Sequence, residues 1–210
     1  MDEIASQVKA DPVAYRLQHL REPRMIDVVK AAAQAAGWQP RPSPDPKATR
    51  TGVVTGRGIA CVAYEGDNGY VALVAEIDVD RASGRVIAKK FTAALDCGVI
   101  SNPEGVRKQA EGGILQGMSR ALVERVTWDN RKVTSNDWSS YDTVDLGIYV
   151  PAVELVLLNR PEDEATGAGE TAITVVAAAI GNAIFDATGL RLREVPFTAE
   201  RLKAALAERS

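Results

Sequence analysis

The segment Thr166–Thr171 places a single carboxylate among glycines, where a charged loop meets a long apolar stretch. That stretch runs from Ala172 to Ala187. A carboxyl group buried at such a junction has a pKa raised toward neutrality, and small neighbours let a substrate approach it. Glu170 is therefore the first candidate for a general base.

A structural role for the same carboxylate is also open. The apolar stretch predicts a helix from Thr171 to Thr188, and a carboxylate in the first turn of a helix interacts favourably with the helix dipole. The pair Gly167 and Gly169 could belong to a dinucleotide-binding fingerprint, but the third glycine is missing and the acidic run 162–164 would repel phosphate. The residues alone leave Glu170 as a base or as a helix-start residue.

A second group of polar residues falls on one predicted helix. Asn102 as N-cap and Pro103 at the first helical position predict a helix that ends near Val123. One face of this helix combines amides, glycine and a guanidinium: Gln109, Gly113, Gln116 and Arg120. Glutamine amides beside glycines at 112 and 113 could bind the edge of a heterocycle, whereas a solvated face with glycines for helix packing explains the same pattern.

These residues must be positioned by a chain of mixed structure. Helical spacing predicts three short helices in residues 1–39, followed by a Pro-rich linker or surface crossing at 40–50 and a domain at 51–210. Strands are predicted at 58–64, 70–79, 85–95, 126–128 and 152–158, and a final helix at 198–208. Apolar residues alternate at 75, 77 and 79, which predicts one buried sheet face. The class is α+β, a mixed sheet with packed helices.

Composition limits the functions that this chain can have. It has 210 residues, Lys+Arg 25, Asp+Glu 28 and a net charge of −3, which gives no nucleic-acid footprint and favours a small-molecule or protein partner. Cys61 and Cys97 match no zinc or cluster spacing, so we expect free thiols. His19, the only histidine, lies in an amphipathic helical stretch, and we expect it near the surface rather than in a catalytic triad.

Targeting signals are weak. No stretch is apolar over the length that a bilayer requires, and the first residues, Met1 to Glu3, are acidic where a signal peptide would be basic. We expect no export signal in this chain. The compartment stays open, cytoplasmic or periplasmic through a partner.

Several motifs then occur in order along most of the chain. They are GRGIA at 56–60, DCG at 96–98, NP at 102–103, QAEGGILQG at 109–117, GAGE at 167–170, GNAIFDATG at 181–189 and RLR at 191–193. Together they resemble the C-terminal part of the molybdopterin-binding subunits of the xanthine dehydrogenase and aldehyde oxidase family. The resemblance is closest to the isoquinoline 1-oxidoreductase and nicotinate dehydrogenase type.

The resemblance implies an oxidoreductase that hydroxylates an N-heteroaromatic ring or an aldehyde with oxygen from water, using molybdenum held by a pterin dithiolene. Glu170 matches the family's catalytic base. Gln109 matches the glutamine that hydrogen-bonds the cofactor. Three further positions, Gly112, Gly113 and Gln116, would lie against it together with Gly169, and no side chain is assigned as a metal ligand.

The family subunit is several times longer than this chain, and its glycine-rich cofactor loops lie upstream. We therefore expect the chain to be a C-terminal fragment, a split subunit that assembles with another polypeptide, or a remnant that has lost catalysis. For a split subunit, the resemblance implies a partner that carries the upstream half of the molybdopterin site and a [2Fe-2S] subunit that takes the electrons. Without that half we expect no activity. The run 173–179 lacks the prolines that often follow the family's glutamate, so the helix start can differ. The alternative is a noncatalytic assembly or ligand-binding domain that keeps the fold without the cofactor.

Overall fold

The computed structural model describes residues 1–45, 51–145 and 150–208. Three short helices come first, as predicted: α1 (Asp2–Gln7), α2 (Pro12–His19) and α3 (Pro23–Ala35). Three long strands follow, and helices dominate the rest. The remaining elements are β1 (Val53–Ala63), β2 (Tyr70–Asp80), β3 (Val86–Asp96), α4 (Pro103–Leu122), β4 (Ala152–Leu157), a 3₁₀ turn (Ala172–Val175), α5 (Val176–Thr188) and α6 (Ala199–Ala207).

The strands form one mixed sheet in the order β1-β2-β3-β4. The first three strands are antiparallel neighbours, and β4 joins β3 in parallel, from the pair Lys90 and Ala152 to the pair Leu95 and Leu157. A parallel pair needs a long crossover, which here contains α4. The predicted α+β class with a mixed sheet is confirmed.

Helices cover both faces of the sheet. On one face, Leu73 and Ala75 of β2 pack into a core with α4, α5 and α6. On the other face, Ala72 and Val74 pack against α2 and α3. The prediction of a single buried face is therefore wrong for the first half of β2, although burial alternates as predicted from Glu76 onward. Strands buried on both faces have continuous apolar runs, and residues 70–75 are such a run.

Two glycines of the GRGIA motif allow close packing between β1 and α5. A Cβ at Gly56 would collide with the backbone oxygen of Ala183, and one at Gly58 with the backbone of Ala179 and Ala183. Backbone atoms cannot move aside as a flexible side chain can, so this helix can lie on this strand only where side chains are missing.

The Pro-rich segment is attached to the fold within its described part. Arg41 donates to both carboxylate oxygens of the buried Asp186 in α5, at 2.7 and 2.6 Å. Its backbone N–H donates to Asp11 at 3.0 Å. Residues 40–45 thus cross the surface as a strap, while the rest of the predicted 40–50 linker lies outside the described residues. The division into units at 1–39 and 51–210 stays a prediction.

Two predicted elements differ from the structure. Residues 126–128 form no strand of the sheet: Trp128 makes an isolated bridge to Val133, held beside it by hydroxyl contact between Thr127 and Thr134 at 2.8 Å. The last long helix begins at Val176 rather than at Thr171. Its expected first turn is 3₁₀, and the hydroxyl of Thr174 donates to the carbonyl of Thr171 at 2.6 Å, an alternative to regular helix bonding.

Candidate functional site

The polar face of α4 and the glycine-rich loop border one cleft. Its volume is about 570 Å³. It is lined by Gln109, Gly112, Gly113, Leu115, Gln116, Ser119, Thr143, Val144 and Gly169. All five residues predicted to contact a cofactor therefore lie around the same space. The fourth member of the predicted face, Arg120, is exposed but is not part of this lining.

Helix α4 presents its amides to solvent because its opposite face is apolar. Asn102 caps the helix by accepting from the N–H of Gly105 at 3.0 Å. Ala110, Ile114 and Met118 are buried in the core, which leaves Gln109 and Gln116 exposed on the cleft side. Each glutamine amide there can both donate and accept hydrogen bonds.

The glycines of the cleft are not required by the packing of this chain. A Cβ at Gly112 would meet nothing within 4 Å, and one at Gly169 would approach only the Nε2 atom of Gln109, at 3.9 Å. At Gly113 the nearest atom is the backbone nitrogen of Ile173, at 3.5 Å, an ordinary contact. The close-packing alternative applies instead to Gly117, where a Cβ would lie 2.9 Å from side-chain carbons of Val176. The cleft wall is therefore bare backbone where side chains would fit.

Sequence reasoning did not find the opposite wall of the cleft. The buried hydroxyl of Ser119 accepts a hydrogen bond from the N–H of Val144 at 2.9 Å and so holds the segment with Thr143 in place. Ser119 lies three residues after Gln116, so the helical spacing that selected the amides could have selected it. Thr143 has no sequence signal, because only the folded chain brings it to α4.

Glu170 adjoins the cleft through Gly169 but is not one of its lining residues. The expectation that its carboxylate is buried is wrong for this structure, since Glu170 is exposed and the burial boundary falls at Thr171, which is 0% exposed. The helix-start interpretation also fails, because α5 begins only at Val176. The carboxylate instead accepts a hydrogen bond from the hydroxyl of Tyr64 at 2.6 Å. That bond is the main reason why the pKa of Tyr64 is raised to about 12.

The loop that carries Glu170 is fixed at the end of β3. The N–H of Thr166 donates to the carbonyl of Cys97 at 2.9 Å, and that of Arg160 donates to Gly98 at 3.1 Å. Gly98 has a φ of 76°, and a Cβ there would collide with the backbone oxygen of Glu164. The two loops are therefore packed backbone against backbone, which requires glycine at this position.

A buried ion cluster supports these loops. Asp96 is 0% exposed and accepts hydrogen bonds from Arg24, at 2.5 and 3.2 Å, and from Arg160, at 2.9 Å. Arg160 also pairs with Asp27 of α3 at 2.6 Å. Burial alone would raise the pKa of Asp96, but the hydrogen bonds from both guanidinium groups outweigh it, and the pKa lies below its ordinary value.

Other candidate chemistry is not supported by the structure. Both cysteines are free, and burial raises the pKa of the Cys61 and Cys97 thiols, which keeps them protonated and poorly nucleophilic. His19 is exposed, with its ring 4.5 Å from that of Tyr15. Among residues 1–45, 51–145 and 150–208, no three His, Cys, Asp or Glu side chains come together as a metal site. No helix of these ranges is long and apolar enough to cross a membrane.

Comparison with known proteins defines the class. Residues 60–146 match the family model of a molybdopterin cofactor-binding domain. The chain is 42% identical to one of the subunits of nicotinate dehydrogenase from Pseudomonas putida, over 98% of its own length and 18% of that protein. It is 32% identical to the beta chain of isoquinoline 1-oxidoreductase from Brevundimonas diminuta, covering 93% of this chain and 24% of that protein.

A solved structure agrees with the fold. The aldehyde oxidoreductase from Desulfovibrio gigas superposes with a TM-score of 0.58 at 30% identity, over 66% of this chain and 15% of that one. The chain belongs to the xanthine dehydrogenase and aldehyde oxidase family, in which it corresponds to part of the molybdopterin-binding subunit. It spans less than a quarter of the length of the relatives named above.

Proposed function

We propose that this chain supplies one wall of the molybdopterin site and the general base of a molybdenum hydroxylase. The observation that supports this most strongly is the cleft itself. Five residues assigned to the cofactor on sequence grounds line it, and Glu170 follows directly on one of them, Gly169.

The chemistry of the cleft suits a pterin. A pterin ring has nitrogen and oxygen atoms along its edge, and the exposed amides of Gln109 and Gln116 offer matching donors and acceptors. Glycine at 112 and 169 leaves space that a side chain would fill, so a flat ligand can approach the backbone. When bound, molybdopterin would supply the redox centre for hydroxylation with oxygen from water.

This chain's own contribution is to hold and move a proton. The Oε1 atom of Glu170 accepts the hydrogen bond from Tyr64, which leaves Oε2 as the atom that can accept a proton during turnover. A partner polypeptide with the upstream half of the site would cover the exposed carboxylate and exclude water. Exclusion of water strengthens the electrostatic interactions of a carboxylate.

N-heteroaromatic compounds are the proposed substrate class. The relatives named for nicotinate and isoquinoline support this class, because both names refer to rings with an electron-poor carbon beside nitrogen. An aldehyde is the second candidate, supported by the aldehyde oxidoreductase among the similar structures. Electrons would leave through a [2Fe-2S] subunit.

The first experiment asks whether the chain occurs with the missing parts. The tagged chain is purified from its native host, co-purifying polypeptides are identified, and molybdenum and iron are measured by elemental mass spectrometry. Both metals together with a larger partner support the proposal. A chain that purifies alone and without either metal contradicts it and favours the noncatalytic domain.

The second experiment tests the base in the assembled enzyme. We expect Glu170→Gln to lower turnover of an N-heteroaromatic substrate by at least about 10²-fold, since general bases contribute 10²–10⁴-fold, with bound molybdenum unchanged. Glu162→Gln is the matched control, because Glu162 is an exposed carboxylate in the stretch that leads to the same loop. Wild-type turnover in Glu170→Gln would reject the assignment.

A further inference from the structure

The end of β1 reaches the candidate base. β1 ends at Ala63, and the next residue, Tyr64, begins a turn closed by its N–H donating to the carbonyl of Gly69 at 2.8 Å. Gly69 has a φ of 126°, and a Cβ there would lie 3.3 Å from the hydroxyl of Thr171. The turn is thus seated against the residue that follows Glu170.

The two parts of Glu170 are held differently. Its backbone is anchored by Thr171, which is buried and whose hydroxyl donates to the carbonyl of Gly167 at 3.3 Å. Its side chain is exposed and has three rotatable bonds. In the described ranges, the bond from Tyr64 at 2.6 Å is the one hydrogen bond that holds this carboxylate. This length is typical of an O–H group that donates to a charged oxygen, which is a strong hydrogen bond.

We propose that Tyr64 is the positioning residue of the general base, holding Oε1 of Glu170 so that Oε2 is left to accept the proton. This inference rests on the proposed function of Glu170. A phenol in the first position of the turn that follows β1 suits the task, because its ring has few rotamers and its backbone is attached to the sheet rather than to the loop of Glu170. The same hydrogen bond raises the pKa of Tyr64 to about 12, so the phenol is protonated and can donate at neutral pH.

The chain contains a matched control. Tyr141 donates to Glu124 at 2.7 Å, so it makes the same kind of hydrogen bond in a part of the chain that does not carry the base. Tyr64→Phe and Tyr141→Phe each remove one hydroxyl and keep the ring. Both variants are expected to stay folded, because neither phenol lies in the two buried cores.

The hydrogen bond is tested first, without cofactor, on the chain carrying ¹³C-labelled tyrosine. The Cζ resonance of Tyr64 is identified by its loss in Tyr64→Phe. We expect it to shift in Glu170→Gln and to stay in place in Glu124→Gln, whereas the resonance of Tyr141 does the reverse. A Tyr64 resonance that does not respond to Glu170→Gln overturns the inference, whatever the enzyme kinetics.

The role is then tested in the assembled enzyme. Tyr64→Phe should lower kcat about tenfold with KM within about twofold, because orientation of the base is lost and substrate binding is not. In the Glu170→Gln background, Tyr64→Phe should have no further effect, since the partner carboxylate is already neutral. Tyr141→Phe should keep the wild-type kcat.

The results separate the two proposals. If Glu170→Gln abolishes turnover and Tyr64→Phe leaves kcat at the wild-type level, the positioning role is rejected and the base stands. If Glu170→Gln keeps turnover, the proposed function itself fails, and the positioning role fails with it.

Discussion

Asp96 and Glu170 are two carboxylates of the same region that the fold treats in opposite ways. Asp96 is fully buried between Arg24 and Arg160, and it joins the end of β3 to the loop that leads to the cleft. Glu170 lies at the far end of that loop and is exposed. The first carboxylate stabilises the loop. The second is left accessible, as its proposed role in proton transfer requires.

The buried carboxylate gives the chain a defined pH dependence. Because the pKa of Asp96 is lower in the folded state than the ordinary value of 3.8, its stabilising contribution is present above about pH 4 and is lost as the pH falls through the folded pKa. We expect Asp96→Asn to lower the free energy of unfolding by about 3 kcal/mol at pH 7. The reason is that the guanidinium groups of Arg24 and Arg160 lose their buried, negatively charged partner.

Urea unfolding at pH 7 and at pH 3 measures this difference. The difference in the free energy of unfolding between wild type and Asp96→Asn should be smaller at pH 3, because Asp96 of the wild type begins to be protonated there. Asp163→Asn is the control, since Asp163 is more exposed and lies 3.9 Å from Arg24. Asp163→Asn should lower the free energy of unfolding by less than about 1 kcal/mol. An equal gap at both pH values would show that the charge of Asp96 does not stabilise the fold.

Helix α4 uses glycine for two purposes on two faces. At Gly117 the helix packs against Val176 at the start of α5, where a Cβ would be 2.9 Å from side-chain carbons. At Gly112 it borders the cleft, where a Cβ would meet nothing within 4 Å. Gly117 is therefore required by the packing of α4 on α5, whereas Gly112 leaves the wall of the cleft open.

Alanine substitutions separate these purposes. Gly112→Ala should leave the chain as stable as wild type or up to about 1 kcal/mol more stable, because alanine favours helix, yet the assembled enzyme should retain less molybdenum. Gly117→Ala should lower the free energy of unfolding by about 1–3 kcal/mol through overpacking. Thermal unfolding of both variants measures the change in stability, and metal analysis of the assembled enzyme measures the molybdenum retained. Equal destabilisation by the two substitutions would mean that Gly112 also serves packing.

The same helix indicates what sequence can predict. Its N-cap, its end and its amide face follow from local patterns, and so do the four sheet strands to within a few residues, except for the start of β1, which lies five residues earlier than predicted. Two features that the sequence did not predict depend on contacts between distant residues. Tyr64 is 106 residues from Glu170, and no local pattern joins them. Burial of the second sheet face likewise depends on α2 and α3, which the periodicity of β2 cannot reveal.

At the scale of the whole molecule, the loop that carries the candidate base lies at one end of the sheet. The loop of Glu170 is bonded to the residues that follow β3, through the N–H of Thr166 and the carbonyl of Cys97, and the turn at 81–84 lies at the opposite end, before β3 begins at Val86. Exposed amides and bare glycine backbone line the cleft beside this loop, and the chain spans 18% and 24% of the length of the nicotinate dehydrogenase and isoquinoline 1-oxidoreductase relatives. The proposed partner should therefore cover this end.

Hydrogen exchange of backbone amides tests that placement. Gly167, Gly169 and Glu170 lie in the loop at the site, so their amides should exchange fast in the chain alone and at least about tenfold more slowly in the assembled enzyme. The turn at 81–84 is the internal control, because its N–H groups at Ala82 and Gly84 already donate to Asp80. Their exchange should not change on assembly. Protection of the turn without protection of the loop would place the partner at the wrong end of the sheet for a shared molybdopterin site.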